Sequence, residues 1–168
     1  DYMNIQKKEK QIPLKNYIIL LLIILVSILI LFYMYRWYET YKQTKSNISI
    51  MNDYLTVINY NELDDYIIEN KNAIIYVSAL GNEQTTKFES SFKNIVLDNG
   101  LNKSMLYLDI TNEDQEALFS KLKIDKNLPY IIVYTDGKIT ATYSISKNNY
   151  NPKKVIKYLN RIGATDID

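Results

Sequence analysis

The sequence predicts an α/β fold: a mixed β-sheet flanked by helices, preceded by one N-terminal transmembrane helix. Three observations carry this. Tyr17 to Tyr35, "YIILLLIILVSILILFYMY", is a run of 19 residues without a charge. From Tyr54 onward, short apolar or β-branched runs alternate with segments of helical periodicity. Late in the chain two such runs meet at Asp136–Gly137, a dipeptide suited to a two-residue hairpin turn.

At ~1.5 Å per residue the uncharged run spans roughly 28 Å, close to the thickness of a bilayer core. It is apolar all round, and Phe32, Tyr33, Tyr35, Trp37 and Tyr38 form an aromatic belt at one end. "FYMYRWYE" offers no small-x-small cleavage site, so an uncleaved signal anchor is expected rather than a removed signal peptide. Lys7, Lys8, Lys10 and Lys15 precede the run, and Arg36, Lys42 and Lys45 follow it. This bias places a cytoplasmic tail at 1–16, the span at 17–35 and the C-terminal domain outside. The bilayer is then a partner through residues 17–35. Residues 36–53 are polar, lack Gly and Pro, and are expected to form a tether that can continue the helix. The chain begins at Asp1 rather than Met, so its true N-terminus is expected to lie upstream.

The remaining residues, 54–168, form the predicted domain. "YLTVIN" (54–59) is a short β-branched strand. "NYNELDDYIIENK" (59–71) spaces Leu63, Tyr66 and Ile67 as a helix does, with Asn61 as its expected cap. "AIIYVSA" (73–79) and "SMLYLDIT" (104–111) are apolar enough for strands buried on both faces. Between them, "NEQTTKFESSFKNIVLDNG" (82–100) sets Phe88, Phe92, Ile95 and Val96 on one helical face, with Asn82 as cap and Gly100 as stop. "NEDQEALFSKL" (112–122) has acids first and lysines last, matching a helix dipole. "YIIVYT" (130–135) and "KITATYSIS" (138–146) flank the hairpin turn. In "NPKKVIKYLNRIG" (151–163) Asn151 caps a helix, Pro152 takes its first position and Gly163 ends it.

Composition removes several functions. The chain has no Cys and no His, which excludes disulfides, thiol nucleophiles, imidazole bases and nearly all zinc or haem sites. No cofactor or metal is expected. Residues 1–52 carry seven Lys/Arg and three Asp/Glu, whereas residues 53–168 carry thirteen and sixteen. A mildly acidic domain argues against a nucleic-acid partner.

The element order β-α-β-α-β-α-β-β-α and the segment "NLPYIIVYTDGKI", Asn127 to Ile139, resemble thioredoxin. The segment looks like the cis-proline strand of that family, with Pro129 in the proline's place. The resemblance covers Tyr54 to Gly163. Small membrane-associated thioredoxin-like proteins, including bacteriocin-transport accessory proteins, are broadly similar. The family's Cys-x-x-Cys pair would fall on Gly81 and Gln84, or on Glu83 and Thr86, and neither register finds a thiol. The acid that many members bury in the preceding strand would fall at or near Ile75, where no acid stands. Thiol–disulfide exchange needs a thiolate, so that activity is excluded.

The resemblance implies instead a groove for an extended peptide, between Leu80, Gly81, Asn82, Glu83 and Gln84 on one side and Asn127, Leu128 and Pro129 on the other. Main-chain pairing of that kind does not require the cysteines. Thr85 and Thr86 lack an accompanying base. The acids Glu62, Asp64, Asp65, Glu69, Glu113, Asp114 and Glu116 are expected on solvated helix faces. Lys153, Lys154, Lys157 and Arg161 line the polar side of the last helix, first an ordinary amphipathic surface and second a contact for anionic headgroups. The expected function is a membrane-anchored, redox-inactive binding or accessory module with a protein or peptide partner. The alternatives are a structural subunit of a membrane complex, or an enzyme with a carboxylate- or hydroxyl-based site.

Overall fold

The computed structural model describes residues 13–46 and 48–164. Most of the expected tail (residues 1–12) and residues 165–168 lie outside the described residues. The chain divides into two units at Lys45/Ser46.

The described part of the first unit is nearly all α1, a helix of 33 residues (Leu14–Ser46) whose last residue falls just past the division. Its stretch Leu14–Tyr41 is long and apolar enough to cross a membrane, and an 18-residue window within it has a mean hydropathy of 3.1. Nothing breaks the helix where the tether was expected to begin, because no Gly or Pro occurs between Arg36 and Ser46. Midway along the apolar run, the Ser27 hydroxyl is satisfied within the helix, donating to the Ile23 carbonyl at 2.8 Å. That is the arrangement a helix needs where water is absent.

The second unit holds a five-stranded sheet in the order β1-β3-β2-β4-β5. The strands are β1 (Thr56–Val57), β2 (Ala73–Ser78), β3 (Met105–Asp109), β4 (Tyr130–Thr135) and β5 (Lys138–Ser144). β3 pairs in parallel with β1 and β2, β4 runs antiparallel to β2, and β5 closes the hairpin with β4. The helices are α2 (Tyr60–Glu69), α3 (Glu83–Asp98), α4 (Gln115–Leu122) and α5 (Pro152–Arg161).

The period-two rule explains how the sheet is covered. Along β2, Ile74 and Tyr76 join one core cluster, with Phe88, Phe92 and Val96 of α3 and Val155 and Leu159 of α5. Ala73, Ile75 and Val77 join the other, with Leu63 and Ile67 of α2 and Leu118 and Leu122 of α4. Alternate side chains of a strand point to opposite faces, so a continuous apolar strand needs cover on both.

Two boundaries differ from expectation. The strand expected at 54–59 pairs only over Thr56–Val57, because its ends are taken by neighbours. Tyr54 and Leu55 close a 3₁₀ turn at Ile50–Asp53, donating to the Met51 carbonyl at 3.1 and 2.9 Å, and Asn59 is the N-cap of α2. The cap is therefore Asn59 rather than Asn61; its backbone and amide N–H groups reach the Glu62 carboxylate at 3.4 and 3.1 Å. Packing also begins before residue 54. Ser49 and Met51, which fall in the expected tether, are buried, and Met51 belongs to the core.

The hairpin turn has Asp136 at φ 52° and Gly137 at φ 73°, the double left-handed geometry that twists with the strands. Gly137 N–H donates to the Lys71 carbonyl at 2.8 Å, which ties the turn to the start of β2.

Candidate functional site

β2 and β4 lie side by side, with Val77 opposite Tyr130. The loop leaving β2 and the loop entering β4 therefore emerge at the same end of the sheet. This brings Leu80–Gln84 and Asn127–Pro129 to neighbouring positions.

On the β2 side, Gly81 sits at φ 93°, a conformation that a side chain with a Cβ resists. It lets the chain turn into α3, where the Asn82 side chain accepts from Gln84 and Thr85 N–H at 2.9 and 3.3 Å. Leu80, half-buried, donates its N–H to Thr111 Oγ1 at 2.8 Å. Gly81, Glu83, Gln84 and Thr86, where a cysteine pair would stand, are all exposed and carry no thiol. The Glu83 carboxylate pairs with Lys87 at 2.7 Å across one helical turn.

On the β4 side, the Leu128–Pro129 bond is cis and Pro129 is buried. Asp125 organises the approach. Its carboxylate accepts from Asn127 N–H at 2.8 Å, the Tyr130 hydroxyl at 2.8 Å and Lys147 Nζ at 2.6 Å. The Lys147 contact, then the Asn127 N–H and the Tyr130 hydroxyl, hold the Asp125 carboxyl well below the usual carboxylate range. The Asn127 carbonyl accepts from Ser146 Oγ at 2.6 Å, and the Pro129 carbonyl from Ile145 N–H at 3.0 Å. Among the described residues, the main-chain N–H and C=O of Leu128 have no hydrogen-bond partner. Its side chain packs against the α2/α4 core.

Behind this end of the sheet lies a group that the sequence did not single out. Glu89, in the middle of α3, is only 3% exposed. Its carboxylate accepts from the Ser49 hydroxyl and the Tyr76 hydroxyl, each at 2.8 Å, from Ile50 N–H at 3.2 Å and from the Ser78 hydroxyl at 3.4 Å. Ser78 also reaches the Tyr107 hydroxyl at 3.2 Å. Burial pushes the Glu89 carboxyl up, and the four donors only partly oppose it. Burial likewise pushes the Tyr107 phenol up to about 12. So a buried acid does stand near the end of β2, but it arrives from the helix. The signal was present in the spacing: Glu89 lies four residues after Thr85 and three before Phe92, inside the buried stripe of α3. The cluster is closed to solvent and every member is hydrogen-bonded, so it holds the fold rather than meeting a substrate.

The other candidates stay apart. Thr86 donates its hydroxyl to the Asn82 carbonyl at 3.3 Å, a helix-start bond. Asp64 pairs with Lys121 at 2.6 Å on an exposed face. Among the described residues, no group of acids is placed to hold a metal ion.

Solved structures share the fold. The chain is similar to the J-Trx1 fragment of ERdj5 (TM-score 0.53, 10% identity, covering 70% of this chain and 54% of that one). It is similar to thioredoxin f2 of Chlamydomonas reinhardtii (TM-score 0.51, 12% identity, 64% of this chain and 94% of that one). Thioredoxin of Fasciola hepatica also matches, at a TM-score of 0.49 and 17% identity, over 64% of this chain and 98% of that one. No family model matches the chain, and no curated protein sequence does. The fold is thioredoxin-like, and the chain carries it without a single cysteine. One long apolar helix, suited to crossing a membrane, precedes it.

Proposed function

We propose that the chain is a membrane-anchored, redox-inactive binding module, single-pass through residues 17–35. The domain is displayed outside the cytoplasm, and an extended peptide of a protein partner pairs with the main chain at Leu128. The observation that carries this is the contrast within residues 127–129. Both main-chain groups of Asn127 and the carbonyl of Pro129 are held by the protein, while those of Leu128 find no partner among the described residues. Strand addition uses such a donor–acceptor pair on a backbone already fixed in place, which lowers the entropy cost of binding. Leu80, across the groove, supplies apolar contact.

The test uses the full chain in its native membranes, with a photoactivatable residue at Leu80 or, as control, at Ile68 on the exposed side of α2. Adducts to one protein from position 80 and none from 68 support the groove. Equal adducts at both, or none at 80, reject it.

A further inference from the structure

The domain's charge is segregated. From Lys138 to Gly163 the chain has six cations (Lys138, Lys147, Lys153, Lys154, Lys157 and Arg161) and no Asp or Glu. Residues 53–137 carry seven Lys/Arg and fourteen Asp/Glu. The two populations meet at Lys147, which pairs with Asp125 at 2.6 Å, while the cations of α5 have no acid partner among the described residues. β5 is an edge strand, and α5, beside α3, covers the face of the sheet opposite α2 and its four acids, Glu62, Asp64, Asp65 and Glu69.

α5 buries Val155 and Leu159 and exposes all four of its cations. Among the described residues, none of the four has a carboxylate within ion-pair distance. Three of them, Lys154, Lys157 and Arg161, surround an open depression of about 490 Å³ with Asn160 and the paired rings of Tyr143 and Tyr158. The two rings lie 4.6 Å apart, and the Arg161 guanidinium sits 5.4 Å from the Tyr158 ring. Ile162, at the end of the helix, is 38% exposed. Cations with no carboxylate partner among the described residues, ringed around half-buried tyrosines and with an apolar residue at the tip, match the chemistry of a lipid interface: phosphate outside, acyl boundary beneath.

We propose that α5 is a second membrane contact, docking the domain onto anionic lipid headgroups through Lys154, Lys157 and Arg161. Locality favours lipid over another anion. The same chain carries a helix fit to cross a bilayer, so headgroups are present at high effective concentration wherever that helix is inserted. The choice of occupant thus rests on the anchoring proposed above, and the test separates the two.

The absence of cysteine allows a single label. A fluorophore is placed at Asn160→Cys on α5, or at Ile68→Cys on α2, in the full chain in nanodiscs that carry a headgroup-linked quencher. Discs with about a third phosphatidylglycerol are compared with pure phosphatidylcholine. Quenching is expected at 160 only, in the anionic discs only. It should be lost near 1 M salt, where the screening length falls to about 3 Å. The variant Lys154→Glu/Lys157→Glu/Arg161→Glu, all at exposed or surface positions, should lower the docked-to-free ratio by roughly a hundred-fold. Equal quenching in phosphatidylcholine, quenching at 68 instead, or unchanged quenching in the triple variant overturns the proposal. So does label-to-label transfer between two copies without quenching, which would make the acidic face of a second chain the occupant.

Resistance to alkaline carbonate scores the anchor separately. A resistant chain without quenching loses the α5 contact and keeps the anchor. An extracted chain whose α5 label is still quenched by anionic vesicles keeps the contact and loses the anchor. An extracted chain with no quenching loses both.

Discussion

Ser49 donates its hydroxyl to the Glu89 carboxylate at 2.8 Å, joining a buried residue shortly after α1 to the middle of α3. The same carboxylate oxygen accepts the Ile50 N–H, so one acid orders the entry of the chain into the domain. Removing it strands several donors in a dry site. Glu89→Ala should cost about 2–4 kcal/mol, since each buried donor left without an acceptor costs roughly 1–3 kcal/mol and hydroxyls can partly re-pair. Denaturant unfolding of the full chain in micelles, followed by near-ultraviolet circular dichroism of the tyrosines, measures this. A change below about 0.5 kcal/mol would place the cluster among ordinary surface contacts.

The cluster also sets a pH dependence. The Glu89 carboxyl is pushed up in the folded state, so the folded chain holds that proton more tightly than the unfolded chain does. Its contribution is fully present below the ordinary glutamate value and is lost as pH rises through the raised one. Asp125 acts with the opposite sign: its carboxyl is held low, so its contribution is present above the ordinary aspartate value and fades as pH falls. Subtracting the profile of Glu89→Gln from that of the natural chain isolates the first effect. The difference should fall with rising pH just above the ordinary glutamate range and then flatten. A difference that rises there would contradict the assignment.

Asp125 braces the loop before Pro129 without being buried. Asp125→Ala should leave the melting temperature within a few degrees while speeding amide hydrogen exchange at Asn127, whose N–H it accepts. Unchanged exchange at Asn127 would mean that Ser146 alone holds the loop.

Membrane insertion and orientation are separable outcomes. The full chain should resist carbonate extraction, and protease added to intact spheroplasts should digest the domain. Digestion only after lysis would reverse the orientation while leaving the span in place.

The strands were legible wherever apolar runs had to be buried on both faces, as in "AIIYVS" and "YIIVYT". The hairpin was legible because Asp136–Gly137 suits few other conformations. β1 was read too long, because the turn formed by Met51 and the cap formed by Asn59 depend on what surrounds them. Glu89 was missed for a related reason. Periodicity places it in the apolar stripe, but its partners come from Ser49, forty residues earlier, and from Tyr76 and Ser78 on a strand. A pattern that scores apolar residues passes over an acid whose burial is made tolerable by tertiary donors. The two loops of the proposed groove were placed by resemblance; what each main-chain group bonds to could be read only from the folded chain.

The most direct test of a binding groove in this cysteine-free fold is Leu80→Asp, read by two measurements on one sample. The adduct from a photoactivatable residue at Asn127 should disappear while the melting temperature stays within a few degrees. An undiminished adduct, or one lost together with the fold, would contradict the groove, leaving the loop from Leu80 to Gln84 as no more than the cap of α3.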